Sequence, residues 1–143
     1  MSYKQLENAM SISKVLSAND TGETGGHQAG MLIPKTGGVL SFFPLLEKDE
    51  KNPRASLKFI DSSNDEWKFM FIYYNNKFFN GTRNEFRLTG MTKFIRQNNL
   101  KAGDKIILSC ERDGTRTIKH ERAKTEETKN VLKLGSSWKV VKI

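Results

Sequence analysis

Seven short runs rich in β-branched and aromatic residues constrain this chain more than any other feature. They are Ile12 to Leu16, Met31 to Pro34, Ser56 to Ile60, Trp67 to Tyr74, Lys105 to Cys110, Thr115 to His120 and Ser137 to Ile143. Runs this short suit strands rather than helices. Many are separated by turn formers: Asp61-Ser62-Ser63-Asn64, Asn75-Asn76, Ala102-Gly103-Asp104, Asp113-Gly114 and Gly135-Ser136. Asp113-Gly114 between two such runs signals a hairpin. Two short helices are expected, one over Lys93 to Gln97 with Thr92 as N-cap and one over about Gly37 to Phe43, stopped by Pro44. The charged tract from His120 to Lys129 suits helix, exposed hairpin or loop. The 143 residues fit one domain, 1–143, with one core. The pattern is that of a mainly β fold, a small barrel or sandwich. Alternate residues from Phe69 to Tyr73 face the core, while Tyr74 and Phe78 stay open as core or as base-stacking groups.

One segment stands apart. Ser17 to Gly30 is polar, glycine-rich and free of any apolar residue larger than Ala, and it lies between Val15-Leu16 and Met31-Leu32-Ile33. It cannot build core, but it can lay backbone and short hydrogen-bonding groups close against a partner. The net charge of +8 and pI near 9.6 point to a polyanionic partner.

The single cysteine, Cys110, excludes an internal disulfide and a multi-Cys zinc site, and its strand-like setting makes it a buried structural thiol. No signal-peptide run and no stretch approaching a membrane span occurs, so a reducing cytoplasm is expected and no membrane partner. No apolar stripe marks a dimer seam, so a monomer is expected.

A second segment, Tyr73 to Arg87, mixes cations (Lys77, Arg83, Arg87), amides (Asn75, Asn76, Asn80, Asn84) and one carboxylate, Glu85. Reading DNA bases needs this mixture. Arg can bond guanine O6 and N7, Asn can pair with adenine, and a carboxylate can accept from cytosine N4. Lys and Thr can hold phosphates. A carboxylate inside a basic patch weakens simple charge attraction, so Glu85 points to base reading. The bland alternative is a solvated strand with a local Arg–Glu pair.

Catalytic readings are weaker. Glu66-Trp67-Lys68, with Asp49 or Asp61 upstream, fits half of a metal-nuclease pattern, but Asp49-Glu50-Lys51 and Glu127-Thr128-Lys129 fit it too, as chance allows in so charged a chain. His27 and His120 are the only histidines, and neither has a partner at triad spacing. Gly22-x-x-Gly25-Gly26 lacks the Gly-Lys-Ser/Thr ending of a phosphate-binding P-loop.

Leu16-Ser17-Ala18-Asn19-Asp20-Thr21-Gly22-x-Thr24-Gly25-Gly26-His27-Gln28 resembles the first recognition segment of the EcoRII-type restriction endonuclease effector domain. Ile72-Tyr73-Tyr74-Asn75 with Thr82-Arg83-Asn84-Glu85 and Arg87 is similar to the second. Asn84 to Gly90, Phe94-Ile95 and Asn98 to Asp104 look like the plant B3 DNA-binding pattern. These motifs cover about half the chain, in family order. The resemblance implies a B3-like pseudobarrel of seven strands with two short helices. It implies two arms, near 14–28 and 75–87, that grip the major groove of double-stranded DNA at a CCWGG-like site. It also implies a bacterial cytoplasmic parent protein with a separate, covalently linked nuclease domain. The domain itself needs no cofactor, and magnesium belongs to that other domain. Phe86 stands where EcoRII has a basic residue, and Gly90-Met91 lacks the Trp common in B3 patterns.

On this reading Arg83 and Arg87 read guanines, Glu85 cytosine, and Asn84 an adenine or an amide partner. Ser17, Asn19, Asp20, Thr21, Gly22, Thr24, Gly25, Gly26, His27 and Gln28 form the opposing arm, with His27 donating to a base edge or a phosphate. Lys14, Lys35 and Lys77 hold phosphates, and Asn75, Asn76 and Thr82 complete the second arm. The chain carries no catalytic residue of its own. Two rivals are a stand-alone metal-dependent nuclease using Glu66 and Lys68, and a nonspecific single-strand or RNA binder using Tyr74 and Phe78.

Overall fold

The computed structural model describes residues 9–23, 30–123 and 138–141. Eight strands form: β1 Met10–Val15, β2 Met31–Ile33, β3 Arg54–Ile60, β4 Glu66–Tyr74, β5 Glu85–Thr89, β6 Lys105–Cys110, β7 Arg116–Glu121 and β8 Trp138–Val141. Their order in one sheet is β2-β5-β4-β3-β7-β6-β1-β8. All neighbours run antiparallel except β3 and β7, which meet through a single parallel pair, Ile60 and Thr117. The two edge strands approach each other. The indole Nε1 of Trp138, on β8, donates to the carbonyl of Leu32, on β2, at 3.0 Å. A curled sheet closed by one side chain instead of a full ladder is a pseudobarrel.

Why these residues form these strands is plain from alternation. Along β4, Trp67, Phe69 and Phe71 point inward, while Glu66 and Lys68 are exposed. The inward set joins Phe42, Phe43, Phe59 and Phe94 in an aromatic core, with Ile12, Leu16, Leu88, Ile106, Leu108 and Ile118 packed around it. Phe43 stacks on Phe71, and Trp67 meets Phe94 edge-on. Each such ring contributes about 1.5–3 kcal/mol through burial. Asp113-Gly114 does turn β6 into β7: Glu111 N–H donates to Thr115 O at 2.8 Å, and Gly114 sits at φ 90. Cys110 is half-buried against the core.

The mainly β barrel expected from the sequence forms, with an eighth strand. The addition is β5, Glu85–Thr89, which was not among the seven runs and was weighed only as a solvated strand. Among the described residues two short α-helices form, α1 Ala18–Thr21 and α2 Thr92–Gln97. The helix expected over 37–43 is reduced to a 3-10 turn, Val39–Phe42. Thr92 begins α2 rather than capping it. Met91 occupies the cap position and is buried, with no capping side chain. The first helix, α1, lies inside the polar segment that was expected to build no core.

Candidate nucleic-acid interface

The first arm leaves the sheet at the end of β1. The Lys14 ammonium pairs with the Asp20 carboxylate, and both side chains are almost wholly buried. Ser17 caps α1. Its Oγ accepts from Asp20 N–H at 3.1 Å, and its own N–H donates to Asp20 Oδ2 at 2.9 Å, a reciprocal capping box. Gly22 ends the turn at φ 82, a conformation that favours glycine. Beyond it, Glu23 Oε2 accepts from the Ala102 N–H at 2.8 Å and from the Thr21 hydroxyl. Those two bonds, Thr21 first, hold the Glu23 carboxyl below its ordinary value.

A hub on the α2–β6 loop anchors this arm. Leu16 N–H donates to Asp104 O at 2.8 Å, and Gly103 N–H to Leu16 O at 2.9 Å. The Asp104 carboxylate accepts from the backbone of Lys101 and Ala123, each at 2.8 Å, and pairs with Arg122 at 3.4 Å. Arg122 also donates to the carbonyls of Asn98 and Asn99 at the end of α2. Burial pushes the Asp104 carboxyl up, but the Lys101, Ala123 and Arg122 bonds outweigh it and hold the group low. A carboxyl held low in the folded state adds stability above its ordinary value of 3.8 and loses it as pH falls through the depressed value. Asp104→Asn is therefore expected to lower the unfolding midpoint at neutral pH, with the gap from wild type shrinking on acidification. A gap constant from pH 7 to 3 would contradict this.

The second arm begins at Asn75, which is fully buried. Its Oδ1 accepts from Asn52 N–H and its Nδ2 donates to Glu50 O, both at 2.8 Å, tying the arm to the preceding loop. A 3-10 turn, Asn76–Phe78, follows. Gly81 N–H donates to Asn76 O at 2.7 Å, and Lys77 N–H to Arg83 O at 2.8 Å, closing the tip. A Cβ at Gly81 would lie 2.7 Å from Asn76 Cβ, so this close approach requires glycine.

The chain then enters β5, and Arg83, Glu85 and Arg87 share one face. Arg83 Nε donates to Glu85 Oε1 at 2.8 Å, and Arg87 Nη2 to Glu85 Oε2 at 3.3 Å. The Arg83 guanidinium lies 3.9 Å from the centroid of the Tyr74 ring, across the ladder from Glu85. Arg87 Nη1 donates to Gly30 O at 2.9 Å, joining the second arm to the end of the first. The Arg87 Nε is buried without a partner. Burial raises the Glu85 carboxyl, but the bonds from Arg87 and Arg83 prevail and keep it below its usual value. Glu85 is thus an ionised acceptor between two fixed forks of donors.

The expected site residues divide into groups. Arg83, Glu85 and Arg87 come together, and Asn84 lies beside them, accepting from the Tyr73 hydroxyl at 2.6 Å and, through its carbonyl, from Lys35 Nζ at 2.8 Å. Asn19, Gly22, Lys35, Lys77 and Thr82 are exposed, while Ser17, Thr21 and Asn76 are half-buried. Lys14, Asp20 and Asn75 are buried and bonded internally, so they shape the arms from beneath. Thr24, Gly25, Gly26, His27 and Gln28 lie outside the described residues. Sequence reading missed Tyr74 as the shelf for Arg83, and Glu23 and Asp104 as anchors. Of these, Asp104 had shown itself only as part of the Ala102-Gly103-Asp104 turn.

Of the residues named for a nuclease, Asp49, Glu66 and Lys68 are exposed. Both Asp61 oxygens are engaged, Oδ1 by Ser63 and Asp65 N–H and Oδ2 by the Trp67 indole. Glu66 is exposed, 3.8 Å from Lys58. Among the described residues, no three His, Cys, Asp or Glu side chains cluster as metal ligands. Tyr74 is covered by Arg83, whereas Phe78 is exposed.

Residues 6–116 match the family described as restriction endonuclease EcoRII, N-terminal. The type II restriction enzyme EcoRII of Escherichia coli is 46% identical over 86 residues, which are 58% of this chain and 21% of that protein. The B3 domain-containing transcription repressor VAL2 of Arabidopsis thaliana is 31% identical over 138 residues, 94% of this chain and 16% of that protein. Auxin response factor 16, also from Arabidopsis thaliana, is 27% identical over 132 residues, 92% of this chain and 18% of that protein. The chain thus spans about a fifth or less of these relatives. A solved Arabidopsis FUS3–DNA complex contains a chain of the same fold, with TM-score 0.57 and 20% identity, covering 78% of this chain and 96% of that one.

Proposed function

Because the chain belongs to the restriction endonuclease EcoRII N-terminal family, we propose that it is a sequence-specific double-stranded DNA-binding domain that catalyses nothing itself. The single observation carrying this reading is the Arg83–Glu85–Arg87 row. Alternate residues on a strand repeat every ~6.8 Å, about two base-pair rises, so one row can address successive parts of a short G·C-containing site. Arg83 and Arg87 each present a donor fork that suits guanine O6 and N7, and Glu85 accepts from cytosine N4. Asn84 reads an adenine or supports a neighbouring amide. The target is a CCWGG-like site, entered from the major groove by the two arms at 14–28 and 75–87. Lys35 and Lys77, exposed on the rim, hold phosphates and set register.

In its parent protein the domain is joined to a separate nuclease domain, which alone uses magnesium. It acts as a monomer in the bacterial cytoplasm. The similarity to EcoRII and the fold shared with a protein solved on DNA support this reading.

Arg83→Ala tests it. Binding to the preferred duplex should weaken by about 1–3 kcal/mol, with discrimination relaxed at one base pair. A uniform loss on every sequence would make Arg83 a phosphate contact and remove the ground for base reading by this row.

A further inference from the structure

The strand that carries the Arg83–Glu85–Arg87 row has a second face. Asn84 and Phe86 point the other way and line a groove of about 680 Å³. Its walls are aromatic. Tyr73 and Phe86 stack with centroids 4.2 Å apart and planes 8° from parallel. Phe78 and Phe79 stand opposite at the tip of the arm, 65% and 37% exposed. Two large apolar rings left in water on a basic surface form a platform without a cover.

The polar groups around this platform narrow the choice of occupant. Lys35 and Lys48 line the groove and favour an anionic partner. Asp49 offers an acceptor. Asn84 Oδ1 accepts from the Tyr73 hydroxyl, which leaves the Asn84 NH2 group to donate. Aromatic walls, one acceptor, one donor and flanking cations match a planar base carried on a phosphodiester. Lys35, on the rim of the proposed DNA interface, also lines the groove, so the two adjoin.

We infer that this groove is a slot for one unstacked nucleobase of the duplex held by the second arm, with Lys35 and Lys48 on the adjoining phosphates. The inference rests on the DNA-binding reading above. Extruding a base costs a few kcal/mol, least where pairing is already broken. A slot that receives an extruded base therefore rewards a mismatch at the position it empties.

The test uses the full chain at about 0.15 M salt. It is titrated with a CCWGG duplex, a random duplex, and duplexes in which one pair at a time, in or beside the site, is mismatched. At one position the mismatch should tighten binding roughly tenfold. Phe78→Ala and Phe79→Ala, both at exposed positions, should each abolish that gain while the matched site stays preferred over random DNA. A preserved site preference with no favourable mismatch, or a gain that survives both substitutions, overturns the slot alone. If both variants leave every affinity unchanged, the slot is wrong. A matched site no better than random DNA overturns the arm reading, and the slot with it.

Discussion

Lys14→Met is expected to cost about 3–5 kcal/mol of folding stability, the largest effect of any single change considered for this molecule. The reason is location. The Lys14 and Asp20 side chains are 10% and 8% exposed and face each other beneath the first arm. Removing the cation takes the Lys14 charge away from the buried Asp20 carboxylate, although Ser17 still donates to it. The same carboxylate closes the capping box of α1, so the base of the arm loosens with it. Lys14→Met combined with Asp20→Leu should recover much of the loss, because replacing a whole buried pair by apolar side chains is often neutral. Urea unfolding measures all three proteins. A loss under about 1 kcal/mol for Lys14→Met would show that the pair behaves like an exposed one.

Glu85→Gln is expected to move two affinities in opposite directions. Glu85 neutralises part of the charge on Arg83 and Arg87 and holds both guanidinium groups in place. Without the carboxylate, the two arginines are free to seek phosphates. Binding to random duplex should strengthen, and its log K against log salt slope should steepen by about 0.9 for each arginine that turns to a phosphate. Binding to the preferred site should weaken by about 1–3 kcal/mol, as the cytosine acceptor and the positions of both forks are lost together. The specificity ratio therefore falls from both sides. Equal changes on specific and random DNA would show Glu85 to be an ordinary surface charge.

Much of the barrel was legible because its strands carry the inward aromatic and aliphatic residues that alternation reveals. The β4 strand and the Asp113-Gly114 hairpin are the clearest cases. The eighth strand was not legible. In β5 only Phe86 and Leu88 are apolar, too few to stand out as an apolar run, and its pairing with β4 and β2 joins distant parts of the chain. That same pairing places Glu85 and Arg87 on one face, and Arg83, just before the strand, reaches Glu85 there. Lys14 was misjudged for a related reason. A lysine in a strand reads as a solvent-facing cation, and only the return of α1 over the end of β1 buries it against Asp20. Asn75 looked like a recognition amide for want of knowing that Glu50 and Asn52 fold back to meet it. Local alternation and capping are written in neighbouring residues, while these long-range pairings are not.

Sequence-specific reading of double-stranded DNA is the property on which the proposed function stands. The most direct test is a competitive binding assay at about 0.15 M salt comparing a CCWGG duplex, each single-pair variant, a random duplex and the separated strands. The two-arm reading expects a strong preference for one duplex, with single changes each costing about 1–3 kcal/mol and single strands binding poorly. Equal, steeply salt-dependent binding to every duplex would contradict it and leave only a basic surface.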